Sequence, residues 1–356
     1  MSTGVNASGQ STNRPPSMSD VATLAGVSHQ TVSRVLNDHP NVRPGTKERV
    51  LAAIEELGYR RNRAARALVT SQSSTIGILT VGNANFGPAS TVLAVESAAR
   101  AQGYFVSVSS LEAFDAVAAR TALGHLVDQG IDGIVVVAPL VEVARVVEEA
   151  GLQVPAVIVA ANPDAAATDT LRYVCTDQRR AARDATEHLL GLGHRRIAHV
   201  SGEMAWIDAL ERNAAWRAAM EERGLEATEY AAGGWAAANG YRMGRRIADE
   251  IVAGDGPTAI FAANDYIAIG LLRAFWERDL RVPEDVSVVG VDDLQDSAYF
   301  IPGLTTIRQP FTAMGQAAMR ALLGIAAGQP RSEGRFDAVL EPELIVRDST
   351  APPPAG

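Results

Sequence analysis

The sequence predicts an all-α helix-turn-helix head followed by an α/β body of two doubly wound, parallel-sheet lobes. Three observations carry that prediction. Residues 18–37, "MSDVATLAGVSHQTVSRVLN", form a short amphipathic pattern cut in the middle by Gly26. From residue 74 onward, apolar runs of strand length alternate with helix-length segments. The charge is also split: of a formal −9, residues 1–70 hold +4, from nine Lys/Arg against five acids, and the remainder holds −13. A basic head on an acidic body is the pattern of a nucleic-acid-binding module attached to something else.

The elements follow in chain order. Residues 1–16 are polar and lack the apolar run of a secretory signal, so they read as a disordered tail. A first helix is expected over 19–25, burying Val21, Ala22 and Leu24. Gly26 then supplies a left-handed turn, and Val27 plugs the gap. Ser28 caps a second helix with His29, Gln30 and Thr31 in its first turn and Val32, Val35 and Leu36 facing inward. Its outward face of His29, Gln30, Ser33 and Arg34 suits a major groove, where Gln pairs bidentately with adenine and Arg with guanine or phosphate. "RPGTKERVLAAIEELGY" reads as a third helix, started by Pro44, striped by Val50, Ile54 and Leu57, and ended by Gly58.

In the body, "STIGILTV", "GYFVSVSS", "IDGIVVVA" and "VPAVIVAA" are the first series of strands. After a break near 164–172 the rhythm resumes with "RRIAHVSG", "TAIFAAND" and "VSVVGVDD". Two series imply two parallel sheets, and such sheets bind ligands at the carboxyl ends of their strands. Asn264, Asp265, Asp292 and Asp293 lie at such ends.

The composition, 47% hydrophobic and 21% charged, is that of a folded protein. A single cysteine, Cys175, excludes an internal disulfide framework and suits a reducing, cytoplasmic setting. No apolar stretch is long enough to span a membrane. Enzymatic constellations are missing. Asp292 and Asp293 are adjacent and point to opposite faces of a strand, and His188, His194 and His199 lack zinc spacing. "GLGHRR" lacks the third glycine of a dinucleotide fingerprint. No cofactor or metal is expected.

"DVATLAGVSHQTVSRVLN" followed by "VRPGTKERVLAAIEELGYRRNRAARAL" resembles the DNA-binding head of the LacI/GalR repressors. "EHLLGLGHRRIAHVSG", "ANDYIAIGLL", "VPEDVSVVGVDD" and "IPGLTTIRQP" extend the resemblance to about residue 350, through a periplasmic-binding-protein-like core. The resemblance implies domains at 17–61 (head), 62–73 (hinge helix and linker) and 74–350 (core), with a tail at 351–356. Within the core it implies one lobe from 74–172 and 310–338, and another from 173–309 and 339–350.

It also implies roles for particular residues. His29, Gln30 and Arg34 would read bases, Ser33, Asn37, Asn62 and the residues around Val42 would contact backbone or groove, and Thr31 and Ala65 would also be DNA-binding. "NRAARAL", residues 62–68, would be a hinge helix, too short to hold alone in water, with Leu68 as a minor-groove wedge. Arg212, Trp235, Asn264, Asp292, Gln309 and Phe311 match an effector pocket, with Val81, Asn85, Pro88 and Ala160 on its other wall. That second wall departs from the member most resembled, where an aspartate stands at the place of Ala160 and a serine at that of Val81. The chain ends without a leucine heptad, so a homodimer is expected. The implied function is a repressor of a pseudo-palindromic double-stranded operator, relieved by a small, galactoside-like sugar. Corepressor-dependent or activating regulation is the alternative. A sugar-transport binding protein is a more distant one, disfavoured by the head.

Overall fold

The computed structural model describes residues 16–36, 39–59, 73–81, 85–112, 115–137, 140–161, 167–330, 334 and 336–354. The chain divides into two compact units after Ser71. The first holds α1 (Met18–Ala25), α2 (His29–Leu36) and α3 (Pro44–Leu57) around a core of Val21, Ala22, Ala25, Val32, Val35, Val50, Ala53 and Tyr59. Leu24 is not in that core. An eight-residue helix buries a single stripe, here Val21, Ala22 and Ala25, and Leu24 falls off it at 45% exposed.

Helix α1 begins one residue earlier than expected, because Ser17 and Asp20 form a capping box. The Ser17 Oγ accepts from the Asp20 N–H at 3.3 Å, and the Asp20 Oδ2 accepts from the Ser17 N–H at 2.8 Å. Gly26 ends the helix at φ 63°, with the Val27 N–H reaching back to the Ala22 carbonyl at 3.0 Å. Replacing Ser17 with alanine is expected to lower the head's stability by about 1 kcal/mol, read as a lower urea midpoint of its helical signal.

The second unit holds two six-stranded sheets. In the first, β1 (Thr75–Val81), β2 (Phe105–Leu111), β3 (Gly133–Val137), β4 (Ala156–Val159), β5 (Leu171–Thr176) and β11 (Ala338–Leu340) lie in the order β11-β5-β4-β3-β1-β2, all parallel. In the second, β6 (Ile197–Ser201), β7 (Glu229–Ala231), β8 (Ala259–Ala262), β9 (Ser287–Asp292), β10 (Thr305–Arg308) and β12 (Glu343–Ile345) lie in the order β12-β10-β9-β8-β6-β7. Only β12 there is antiparallel to its neighbour. The central strands β3, β4, β8 and β9 are buried along their whole length, as continuous Val/Ile runs covered on both faces must be.

Helices α4 (Phe86–Ala101), α5 (Ala116–Asp128) and α6 (Val141–Glu149) connect the first sheet, and α7 (Gln178–Gly191), α8 (Ile207–Glu221), α9 (Ala237–Ala253) and α10 (Asp265–Trp276) the second. After β10 the chain returns to the first lobe as α11 (Phe311–Ala326). There Met314, Ala318, Met319, Leu322 and Ile325 pack on Ile76, Ile78, Val135, Val157 and Val174. The chain thus crosses between lobes after β5, after β10 and between β11 and β12.

Those crossings correct the implied lobe boundaries. Strand β5 pairs with β4, so the first lobe runs to residue 176 rather than 172, and its last strand extends to 340 rather than 338. The missed strand, "LRYVCT", is broken up by a charge, Arg172, which is buried in an ion pair with Asp337 at 2.9 Å. Nor does the core stop at 350. Ala351 is held by Ser287 and by His194, whose Nε2 lies 2.8 Å from the Ala351 carbonyl. Helices α9 and α10 touch backbone to backbone. A Cβ at Gly240 would overlap the Ile267 carbonyl, and one at Gly270 would overlap the Ala237 carbonyl and the Tyr241 nitrogen.

Candidate functional site

In the head, His29, Gln30 and Arg34 are exposed on α2, with Gln30 and Arg34 one turn apart on the same face. Thr31 and Ser33 are half-buried, and Thr31 is tied to Ser28, whose Oγ accepts its N–H at 3.2 Å. Val42 is half-buried against the head's core, so its side chain packs rather than presents itself, while its neighbours Asn41 and Arg43 are exposed. Asn37, Asn62, Ala65 and Leu68, with the hinge segment, lie outside the described residues.

In the body, a cleft of about 720 Å³, counted to its open mouth, lies at the carboxyl ends of both sheets. Nine of the ten residues expected there line it: Arg212, Trp235, Asn264, Asp292, Gln309, Phe311, Asn85, Pro88 and Ala160. Val81 does not; it is 2% exposed within the apolar cluster at the end of β1. Thr176, Gln178, Trp206 and Asp208 also line it and were not anticipated. One signal was present: Asp208 and Arg212 are four apart, one turn of a helix.

The second-lobe wall carries a hydrogen-bond relay. The Arg212 Nη1 donates to the Ala263 carbonyl at 2.6 Å and its Nε to the Gln178 Oε1 at 2.8 Å. The Gln178 Nε2 donates to the Gln309 Oε1 at 3.0 Å, and the Gln309 Nε2 to the Asp292 Oδ1 at 2.9 Å. Both amides of this relay are oriented by their neighbours, and among the described residues the second guanidinium nitrogen of Arg212 and one oxygen of Asp292 have no hydrogen-bond partner. Asn264 also braces its surroundings. Its Oδ1 caps α10 through the Ile267 N–H at 2.8 Å, and its Nδ2 donates to the Trp235 carbonyl at 3.1 Å. Asn264 lines the cleft as well, and its amide carries a second N–H beyond the one given to Trp235. Trp235 lies against Gly202, edge-on to Trp206 at 5.7 Å, with the Arg212 guanidinium 6.0 Å from its ring centre. Phe86 and Phe311 meet edge to face at 5.6 Å on the first-lobe side.

Asp292 and Asp293 diverge. Both have positive φ, 113° and 54°, a strained turn that sends Asp292 into the cleft and Asp293 to Arg308 and Arg347 at 2.7 and 2.6 Å. Burial pushes the Asp292 carboxyl up to about 6; Arg212 and the Gln309 amide oppose the rise and Asp208 adds to it. Burial likewise raises Asp208, with Arg212 opposing, and takes the Cys175 thiol up to about 12. The folded value of Asp292 lies above its ordinary 3.8. Its ionisation therefore opposes folding, with a penalty that grows as pH rises from 3.8 to about 6 and is complete above that. Asp292→Asn is accordingly expected to stabilise the protein by on the order of 2–3 kcal/mol at pH 7.5 and hardly at all at pH 4, by urea denaturation at both.

The three histidines are framework. His188 meets Thr350 and His194 meets Thr258, each at 2.9 Å. His199 is stacked on Phe261 at 4.6 Å, and burial pushes it down to about 4. Among the described residues no cluster of three metal-ligating side chains occurs, and no helix is long and apolar enough to cross a membrane.

A model of bacterial regulatory proteins of the lacI family matches residues 17–62, and one of a periplasmic binding protein-like domain matches residues 186–350. The lactose operon repressor of Escherichia coli (strain K12) is 36% identical over 341 residues, 96% of this chain and 92% of that protein. The HTH-type transcriptional regulator CelR of Thermobifida fusca is 34% identical over 94% of this chain and 98% of its own. The crystal structure of the lac repressor dimer bound to operator and the anti-inducer ONPF matches with a TM-score of 0.83 at 35% identity, over 95% of this chain and all of that one. The CelR–cellobiose complex matches with a TM-score of 0.66 at 30% identity, over 94% and 99%. With a reading helix at one end and a shaped, hydrogen-bonded cleft in its body, the chain belongs to the lacI family of bacterial regulatory proteins and is a helix-turn-helix transcriptional regulator, not an enzyme.

Proposed function

We propose that this regulator is a cytoplasmic homodimeric repressor of a pseudo-palindromic double-stranded operator, released by a small galactoside-like sugar bound in the cleft. The observation that carries this reading is the cleft itself: nine side chains expected from sequence converge on it, in a chain whose α2 exposes His29, Gln30 and Arg34. A relative crystallised as a dimer on operator and another in complex with cellobiose support the two halves. Flat aromatic surface beside an oriented Arg/Gln/Gln/Asp relay suits a sugar, which offers C–H faces and directional hydroxyls. The sugar can lower operator affinity only by the difference in its own affinity for the DNA-competent and incompetent states.

Gel retardation of the purified protein on its own upstream DNA, with mono- and disaccharides titrated in, tests both halves. Salt-sensitive binding that Gln30→Ala weakens by about 1–3 kcal/mol and that a sugar reverses is the expected result. No salt-sensitive binding would sink the operator reading. A sugar that tightens binding would make the protein corepressor-dependent.

A further inference from the structure

Most polar groups on the second-lobe wall are already spent on one another, but Asp208 stands apart. It lines the cleft from the first turn of α8, and among the described residues it accepts no hydrogen bond and makes no ion pair. We propose that Asp208 is the specificity-determining residue of the cleft, its carboxylate receiving hydroxyl donors of a neutral saccharide and excluding ligands that carry phosphate or carboxylate. This deepens the sugar reading above and rests on it.

Position supports the assignment. Asp208 precedes Arg212 by four residues, so an acceptor-only group and a donor-only group stand one above the other on one helix face. Two neighbouring hydroxyls of one ring match that pair, one donating to Asp208 and the next accepting from the free guanidinium nitrogen of Arg212. Charge supports it too. Asp208 and Asp292 face a single cation, Arg212, within one cleft. An anionic ligand would bring further acidic oxygens against these two carboxyl groups, with one guanidinium among the described lining residues to offset them. A polyhydroxyl ligand supplies the missing donors and brings no charge. Because the carboxylate is unpaired, removing it orphans no neighbour, and the variants are expected to fold.

Full-length protein can be titrated with glucose, galactose, lactose and cellobiose, and with glucose 6-phosphate and glucuronate, following the fluorescence of Trp206 and Trp235 and the melting temperature. At least one neutral sugar is expected to bind, its phosphate and acid counterparts at least tenfold more weakly. Asp208→Ala is expected to weaken the neutral sugar tenfold or more, and Asp208→Asn to narrow the gap between neutral and anionic probes. Unchanged sugar affinity in Asp208→Ala would overturn the role of Asp208 and leave the sugar reading standing. A phosphate or acid form binding better than its parent sugar would overturn the exclusion of anionic ligands. Binding of no probe at all would fail the sugar reading itself, and the proposal with it.

Discussion

Gly270→Ala is expected to lose about 3 kcal/mol of stability or more, a large part of the margin of an ordinary domain. At this position α9 and α10 approach so closely that an added methyl meets backbone, the Ala237 carbonyl and the Tyr241 nitrogen, rather than a side chain that could turn aside. The helices must separate, and Leu271, Ala274 and Phe275, all fully buried, must lose contact with them. Urea denaturation reads the effect as a lower midpoint. Gly45→Ala is the control: nothing lies within 4 Å of the added carbon and its helix gains intrinsic propensity, so its midpoint should hold or rise. Equal midpoints for Gly270→Ala and the unaltered protein would show that the two helices are not in backbone contact.

Arg212→Ala is expected to abolish the effector response while leaving operator affinity without effector nearly unchanged. Arg212 is 3% exposed and orients Gln178, which in turn orients Gln309 and Asp292. Its removal takes away the free guanidinium donor and loosens the relay behind it. Charge-assisted bonds of this kind contribute about 1.5–3 kcal/mol each, so sugar affinity should fall by roughly 30-fold or more. Arg212→Lys keeps the charge and loses the fork, and should fall between the two. Titrating sugar against preformed protein–operator complex in a gel measures both quantities. A retained response in Arg212→Ala would show that the cleft is not where the effector acts.

The parts of the fold most legible in the sequence were those where burial is continuous. Strands β1, β3, β4, β6, β8 and β9 show as apolar runs because both faces of a central parallel strand are covered. Strand β5 did not show, because a buried ion pair places Arg172 where an apolar residue would announce the strand. Strands β7, β11 and β12 have three residues each, too few for a periodic signal. In the head the helix order was readable from Gly26 and Gly58, but the choice between Leu24 and Ala25 depended on where the short helix turns its stripe. In the cleft, resemblance located the residues and could not say which had a hand free. Asn264 caps a helix as well as lining the cleft, and Asp208, unremarked in the sequence, accepts no hydrogen bond among the described residues.

Neither lobe is a contiguous stretch of chain, and that has a consequence for how the protein is made. The first lobe begins at β1 but lacks part of the apolar cover of one sheet face until α11 arrives, and its edge strand until residue 340. A ribosome delivering residues in order must therefore release nearly the whole polypeptide before that lobe can close. The three-helix head, whose buried residues end at Tyr59, is complete long before. On the nascent chain, the reading end is finished first and the sensing end last.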